Sequence, residues 1–212
     1  MTEIAILGSG RVASVLTKGL LDAGHSVTLG RRDPESPRPE WATQSLAIET
    51  TAVAISRAEI VINATPGETS IAYLAPHADG LRGKVLLDVS NALKRDDAGH
   101  PAGLLYPNGS VASALQDTLP DVRVVKALNT MLFIVMANPG LLSRPPSVFL
   151  SGNDPDAKMQ VRSLLTNLGW AEDMIEDLGG IATASGPESF MLFVPPLMAR
   201  DGMIPFALSI AR

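Results

Sequence analysis

The sequence predicts an α/β fold, a doubly wound and mostly parallel sheet with a small helical extension at its C-terminal end. Three observations predict it. Short apolar runs such as Ile4-Ala5-Ile6-Leu7 and Ile60-Val61-Ile62 show no polar alternation, as strands covered on both faces do. Stretches with helical spacing separate these runs, the alternation that builds parallel sheets. A glycine-rich turn, Gly8-Ser9-Gly10, joins the first run to the first helical stretch.

Taken in order, residues 3–7 form the first strand. The helix that follows carries Val12, Val15, Leu16, Gly19 and Leu20 at helical spacing, and Gly24 is placed to end it. Ser26-Val27-Thr28-Leu29 is a second short strand. From Arg31 to Glu40, Pro34, Pro37 and Pro39 predict a loop. Further strands are predicted over 58–64, 84–89, 122–128 and 147–150. Asp154-Pro155-Asp156 opens a helix: Asp154 caps it, proline suits the first turn, and Asp156 favours the positive end of the dipole. Its apolar face is Val161, Leu164, Leu165 and Leu168, and Gly169 ends it. From about Gly180 the tail reads as helical, interrupted by prolines, and able to cover the open end of the sheet.

The bulk composition narrows the function classes. With 212 residues, 46% hydrophobic and 18% charged, the chain can bury one sizeable core. A formal net charge of −5 offers no broad basic surface for nucleic acid. Cysteine is absent, which excludes disulfides, thiolate metal sites and cysteine nucleophiles. There is no histidine-rich metal pattern and no Gly-x-Ser-x-Gly elbow. The apolar stretches 131–136 and 190–199 fall short of the ~20 residues that span a bilayer. The N-terminus lacks the pattern of a signal peptide, so a cytoplasmic setting is expected.

Gly8-Ser9-Gly10-Arg11-Val12-Ala13 fits the dinucleotide fingerprint of Rossmann-type domains, with alanine in the third small position. The first glycine permits the tight turn, the second lets the backbone approach a pyrophosphate, and the third small residue lets helix and strand pack closely. The helix N-terminus offers free N–H groups and a positive dipole to the anion. The strand before the motif and the amphipathic helix after it supply the context it needs.

An NAD site usually carries an acid about 20 residues after the fingerprint. Here the second strand ends in Gly30-Arg31-Arg32, and two guanidinium groups suit a 2′-phosphate. Ser9 can add a hydroxyl contact, and Arg11 either touches a phosphate or points into water. The competing reading is a solvated basic turn with Asp33 as a late ribose acid. NADP(H) is thus the expected cofactor, bound by residues 1–178, with 179–212 packed on that domain as the extension.

In open α/β sheets the ligand lies at the carboxyl ends of the strands. Those ends carry Thr65-Pro66, Ser90-Asn91 and Asn129-Thr130, small polar residues that can line a nicotinamide, although the same types also favour turns. No acid–base catalyst stands out. His25 reads as a surface residue, His77 and His100 have no assigned role, and Asp88 reads as structural. Hydride transfer between two cofactors needs mainly orientation, whereas reducing a ketone or imine usually wants a proton donor.

The sequence resembles the coenzyme F420-dependent NADP oxidoreductases and their bacterial relatives. The resemblance rests on Ile6-Leu7-Gly8-Ser9-Gly10, Leu29-Gly30-Arg31-Arg32, the run from Val124 to Thr130, and Asp177-Leu178-Gly179-Gly180-Ile181, and it spans nearly the whole chain. It implies a Rossmann domain with a small extension. It implies a 2′-phosphate near Ser9, Arg31 and Arg32, and a nicotinamide near Thr65, Pro66 and Ala127 to Asn129. A second redox partner would stack across the nicotinamide, roofed partly by the tail, in a homodimer. Relatives often carry an arginine shortly after the Gly-Gly-Ile stretch, where this chain has Ser185-Gly186-Pro187-Glu188. Met131-Leu132-Phe133-Ile134 is more apolar than usual for a site wall.

The expected cofactor-binding residues are therefore Gly8, Ser9, Gly10, Arg11, Val12, Arg31, Arg32, Thr65, Pro66, Ala127 and Asn129, with no catalytic side chain and no metal. The expected function is hydride transfer between NADPH and a deazaflavin, a flavin or another flat redox partner. The alternatives are an NADP(H)-sensing module without turnover and a small imine or carbonyl reductase. For the last, about thirty residues are too few for the long helical dimerisation domain of pyrroline-carboxylate reductases.

Overall fold

The structure, a computed structural model, describes residues 1–97, 99 and 101–212; His100 lies outside the described residues. The chain begins with β1 (Glu3–Leu7), α1 (Arg11–Asp22) and β2 (Ser26–Arg31), followed by β3 (Ala47–Thr50), α2 (Thr51–Arg57) and β4 (Ile60–Asn63). Next come α3 (Gly67–Leu74), α4 (Ala78–Leu81), β5 (Val85–Asp88) and a hairpin of β6 (Leu93–Arg95) and β7 (Pro101–Leu104). Then follow α5 (Val111–Thr118), β8 (Arg123–Lys126), α6 (Phe133–Met136), β9 (Val148–Gly152), α7 (Pro155–Asn167) and β10 (Ile175–Asp177). Two short helices, α8 (Ser185–Ser189) and α9 (Val194–Asp201), lead into an extended C-terminal stretch.

The main sheet has the order β10-β9-β8-β5-β4-β1-β2-β3. The six strands from β3 to β8 are parallel, and β9 pairs antiparallel to β8, with β10 parallel to β9. The predicted Rossmann-type, doubly wound sheet is therefore present. Strand order reverses at β1, which lies between β2 and β4, and such a reversal opens a crevice at the carboxyl ends of the strands.

The alternation along β1 builds both faces. Ile4 and Ile6 join a core with Leu16 and Leu20 of α1 and with Val161, Leu164 and Leu165 of α7. Ala5 and Leu7 join the opposite core with Ala54 and Ile55 of α2 and Leu115 of α5. Caps fix the helix starts as read from sequence: Asp154 Oδ1 accepts from the Ala157 amide at 2.7 Å, ahead of Pro155 in the first turn.

Several elements depart from the sequence reading, among them the short strands β6, β7 and β10, which it did not include. β3 was not predicted, because Ala47-Ile48-Glu49-Thr50 is a short, half-exposed edge strand with no clean period. The antiparallel turn of β9 follows from pairing partners that a single strand's residues do not encode. The tail is helical only as far as Asp201. Beyond it the chain returns to the sheet end, where the Leu132 amide donates to Phe206 O (2.9 Å) and the Leu208 amide to Thr130 O (3.0 Å).

Candidate active site

Register places the site. Gly30, Leu7, Asn63, Asp88 and Lys126 sit side by side in one row across β2, β1, β4, β5 and β8, at the strands' carboxyl ends. Above this row lies a cleft of about 1320 Å³. Every expected site residue lines it except Ala127. Ala127 is fully buried in the core, so its side chain does not reach the cleft, and its amide donates to Asp88 O at 3.2 Å.

At the glycine-rich turn, Gly8 has φ +118°, and a Cβ there would lie 2.5 Å from Ala64 O. Only glycine lets β1 turn so close to β4. A Cβ on Gly10 would meet nothing within 4 Å, which leaves open space in front of α1. Gly10 caps α1 without any side-chain hydrogen bond, and no acidic residue occupies the first turn. The helix therefore keeps free N–H groups facing that space, as pyrophosphate binding needs. From behind, Trp41 Nε1 donates to Ser9 O at 3.1 Å. The donor set and the space fit a dinucleotide phosphate.

The two arginines after β2 have different surroundings. Arg31 Nη1 donates to Ser36 O (3.1 Å) and Pro37 O (3.2 Å), bracing the loop. Arg32 is exposed, with its guanidinium 5.8 Å from the centre of the Tyr73 ring. Asp33 is engaged in its own turn, accepting from Ser36 Oγ (2.7 Å) and the Glu35 amide (3.0 Å). The Ser36 hydroxyl first, then that amide and the charge of Arg31, hold its carboxyl below the usual aspartate value. His77 meets Tyr73 edge-on, ring centres 6.2 Å apart, and also lines the cleft. His25 lies at the surface, half-buried, with Nε2 3.0 Å from Asn167 Oδ1.

Beneath the far half of the cleft lies a buried polar network that the sequence reading did not assemble. Lys126 is wholly buried, with Nζ 2.9 Å from Asp88 Oδ2 and 2.9 Å from Glu188 Oε1, and it also donates to Ser90 O. Burial pushes the ammonium down, but Asp88 and Glu188 outweigh it and hold Lys126 above the usual lysine value. Asp88 Oδ1 accepts from Asn63 Nδ2 (2.8 Å), Ser90 Oγ (2.8 Å) and the Ser90 amide (3.2 Å). Glu188 accepts from the Val111 and Ala112 amides (2.8 and 3.3 Å) at the start of α5. One signal in the sequence pointed here: a lysine inside the apolar run Val124-Val125-Lys126-Ala127-Leu128 must find a partner if buried.

The loop after β8 carries Leu128 at φ +63°, the only described non-glycine residue with positive φ. Next to it, Asn129 Nδ2 donates to Asn91 Oδ1 (3.0 Å) and Asn91 Nδ2 to Asn129 O (2.9 Å). The opposite wall is apolar, with Leu132, Phe133 and Met136 on one side and Phe190, Met191 and Phe206 of the tail on the other. Arg11 crosses towards that wall, 5.1 Å from the Phe133 ring centre and 3.6 Å from Met203 Sδ.

With this geometry established, comparison with known proteins identifies the family. Residues 3–92 match the family described as NADP oxidoreductase, coenzyme F420-dependent. A solved structure of a candidate F420-dependent NADP reductase from Arthrobacter sp. FB24 is 37% identical, with a TM-score of 0.92 over 100% of both chains. The chain belongs to the coenzyme F420-dependent NADP oxidoreductase family. The family is described as one of NADP oxidoreductases. The F420-dependent NADP reductase of Methanocaldococcus jannaschii is 27% identical over 118 residues, 54% of this chain and 52% of that protein. Metalloreductase STEAP3 of Rattus norvegicus is 31% identical over 196 residues, 92% of this chain. The chain spans only 37% of that metalloreductase's length. Among the described residues no helix is long and apolar enough to cross a membrane, and no cluster of acids or histidines could hold a metal ion.

Proposed function

We propose that this family member transfers hydride between NADPH and a flat redox partner, a flavin or a deazaflavin. The observation that carries the reading is the contrast between the cleft's two ends. One has free helix N–H groups and two arginines, and the other has an apolar wall without a free acid–base group. Glu68, an acid of the cleft lining, is ion-paired with Arg95 at 3.4 Å, and Tyr73, with His77 against it, lies beside Arg32 at the other end.

In this reading the first turn of α1 holds the pyrophosphate, Arg31, Arg32 and Ser9 hold the 2′-phosphate, and Thr65, Pro66 and Asn129 flank the nicotinamide. Bound NADPH supplies the hydride. The chain orients the two rings, and Phe190, Met191 and Phe206 keep water from the space between them. No residue need supply a proton to a carbonyl or imine, which sets this reading apart from a small imine or carbonyl reductase.

The reading includes a cytoplasmic homodimer. Its support is an apolar surface on the tail: Leu192, Phe193, Met203 and Ile204 are each more than half exposed. Light scattering of the purified protein checks this, and a clean monomer removes it. The test of the function itself is anaerobic mixing of NADPH-loaded protein with flavins and a deazaflavin, followed at the nicotinamide absorbance. Oxidation by one of them supports the proposal. Tight NADPH binding without oxidation by any of them favours the sensing module instead.

A further inference from the structure

We propose that the Thr65 hydroxyl is fixed as a hydrogen-bond acceptor on the cleft wall, where it takes an N–H of the nicotinamide carboxamide. This rests on the NADP(H) reading above. The polarity follows from the buried row beneath the cleft. An ammonium can only donate, and Lys126 donates to Asp88 Oδ2 at 2.9 Å. A carboxylate can only accept, and Asp88 Oδ1 lies 2.8 Å from the side-chain amide of Asn63. The group facing Asp88 must therefore be the Asn63 NH₂, which also donates to Ser70 Oγ at 3.0 Å.

Asn63 Oδ1 is thereby turned towards Thr65. It accepts from Thr65 Oγ1 at 2.6 Å and from the Thr65 amide at 3.3 Å. A threonine hydroxyl has one proton, and here Asn63 takes it. Ser70 lies 3.0 Å from Thr65 Oγ1 and 3.1 Å from Pro66 O. Whichever of these Ser70 donates to, Thr65 gains no second proton. The lone pair that remains on Thr65, a half-buried residue of the cleft wall, can only accept.

A ligand group with only lone pairs would meet Thr65 lone pair against lone pair. The nicotinamide carboxamide carries both an oxygen and an NH₂, and only the NH₂ fits. The row thus also selects which way round the carboxamide lies. Lys126, Asp88 and Asn63 act through Thr65 and are positioning residues.

The test compares NADP⁺ with its 3-acetylpyridine analogue, which replaces the carboxamide NH₂ by a methyl group. Dissociation constants are measured by calorimetry on the wild type, Thr65→Val and Thr65→Ser. The wild type should bind NADP⁺ about tenfold more tightly than the analogue, the scale of one lost hydrogen bond at a desolvated site. Thr65→Val should bind the two alike, and Thr65→Ser, which keeps the hydroxyl, should restore the ratio. Equal binding of the two dinucleotides by the wild type, a result that needs no variant, overturns the inference alone. So does a ratio that survives in Thr65→Val. If the wild type binds neither dinucleotide, the NADP(H) reading falls and this inference falls with it.

Discussion

The two ends of the cleft are built by different physics. The end at β1 and β2 is made of backbone: a glycine that lets two strands approach, a helix start with unsatisfied N–H groups, and arginines on a short loop. The end at β5 and β8 is made of side chains brought from distant parts of the chain. Lys126 meets Asp88, 38 residues earlier, and Glu188 on α8. The first end depends on backbone geometry. The second is a buried ion cluster, in which removing one charge strands the others.

The sharpest way to break this comparison is Lys126→Met. The change leaves Asp88 and Glu188 buried without their cation, where side-chain exposure is 0% and 5%. A loss of about 3–5 kcal/mol is expected, read from urea unfolding. A loss below about 1 kcal/mol would mean that water or a shifted side chain replaces the ammonium, and that the two ends are built alike.

The other end should answer in binding rather than stability. Arg31→Ala with Arg32→Ala should remove a preference for NADPH over NADH of about 2–4 kcal/mol, read by calorimetry, with little change in the unfolding midpoint. Arg31→Ala alone should also loosen the turn it braces at Ser36 and Pro37. Equal affinity for the two dinucleotides in the wild type would reduce both arginines to a solvated turn.

The same contrast decides what could be read in advance. Gly8, Gly10, Arg31 and Arg32 stand in short local patterns at strand ends, so spacing alone drew attention to them, as apolar runs exposed β1, β2, β4, β5 and β8. Ala127 and Asn129 were read together as one stretch after β8, but Asn129 lines the cleft and the Ala127 side chain packs in the core, a difference that the spacing of the run does not state. Asn63, Asp88 and Lys126 form a row only through the register of three strands, which one sequence does not state. Glu188 was visible only as a departure from a familiar pattern; its partner is a lysine 62 residues away.

Glu188→Gln sharpens the comparison from the tail side. The Val111 and Ala112 amides donate to different oxygens of Glu188, so glutamine keeps an acceptor for one of them, turns an NH₂ on the other and gives up the ion pair, while Lys126 keeps Asp88. A loss of about 1–3 kcal/mol in stability is expected. NADPH affinity should change little, because the phosphate end is untouched, whereas KM for the redox partner should rise as Phe190 and Met191 lose their anchor. A variant whose only change is in NADPH affinity would place Glu188 at the wrong end.

The smallest effect concerns the Asp177-Leu178-Gly179-Gly180 stretch, whose role in the fold is local. Asp177 Oδ1 accepts from Lys158 Nζ and from the Gly179 amide, both at 2.8 Å, tying β10 to α7. Partial burial pushes its carboxyl up, but the lysine and the amide outweigh it and leave it below its ordinary 3.8. A carboxyl lowered on folding stabilises above its unfolded value, and that contribution fades as pH falls through the folded one. With 42% of the side chain exposed, solvent screening holds the contribution to at most about 1 kcal/mol. Asp177→Asn should therefore lower the urea midpoint slightly at pH 7, and the gap from wild type should close as the pH falls below the ordinary aspartate value. A gap that persists in acid would show that the Gly179 turn depends on the shape of the side chain rather than on its charge.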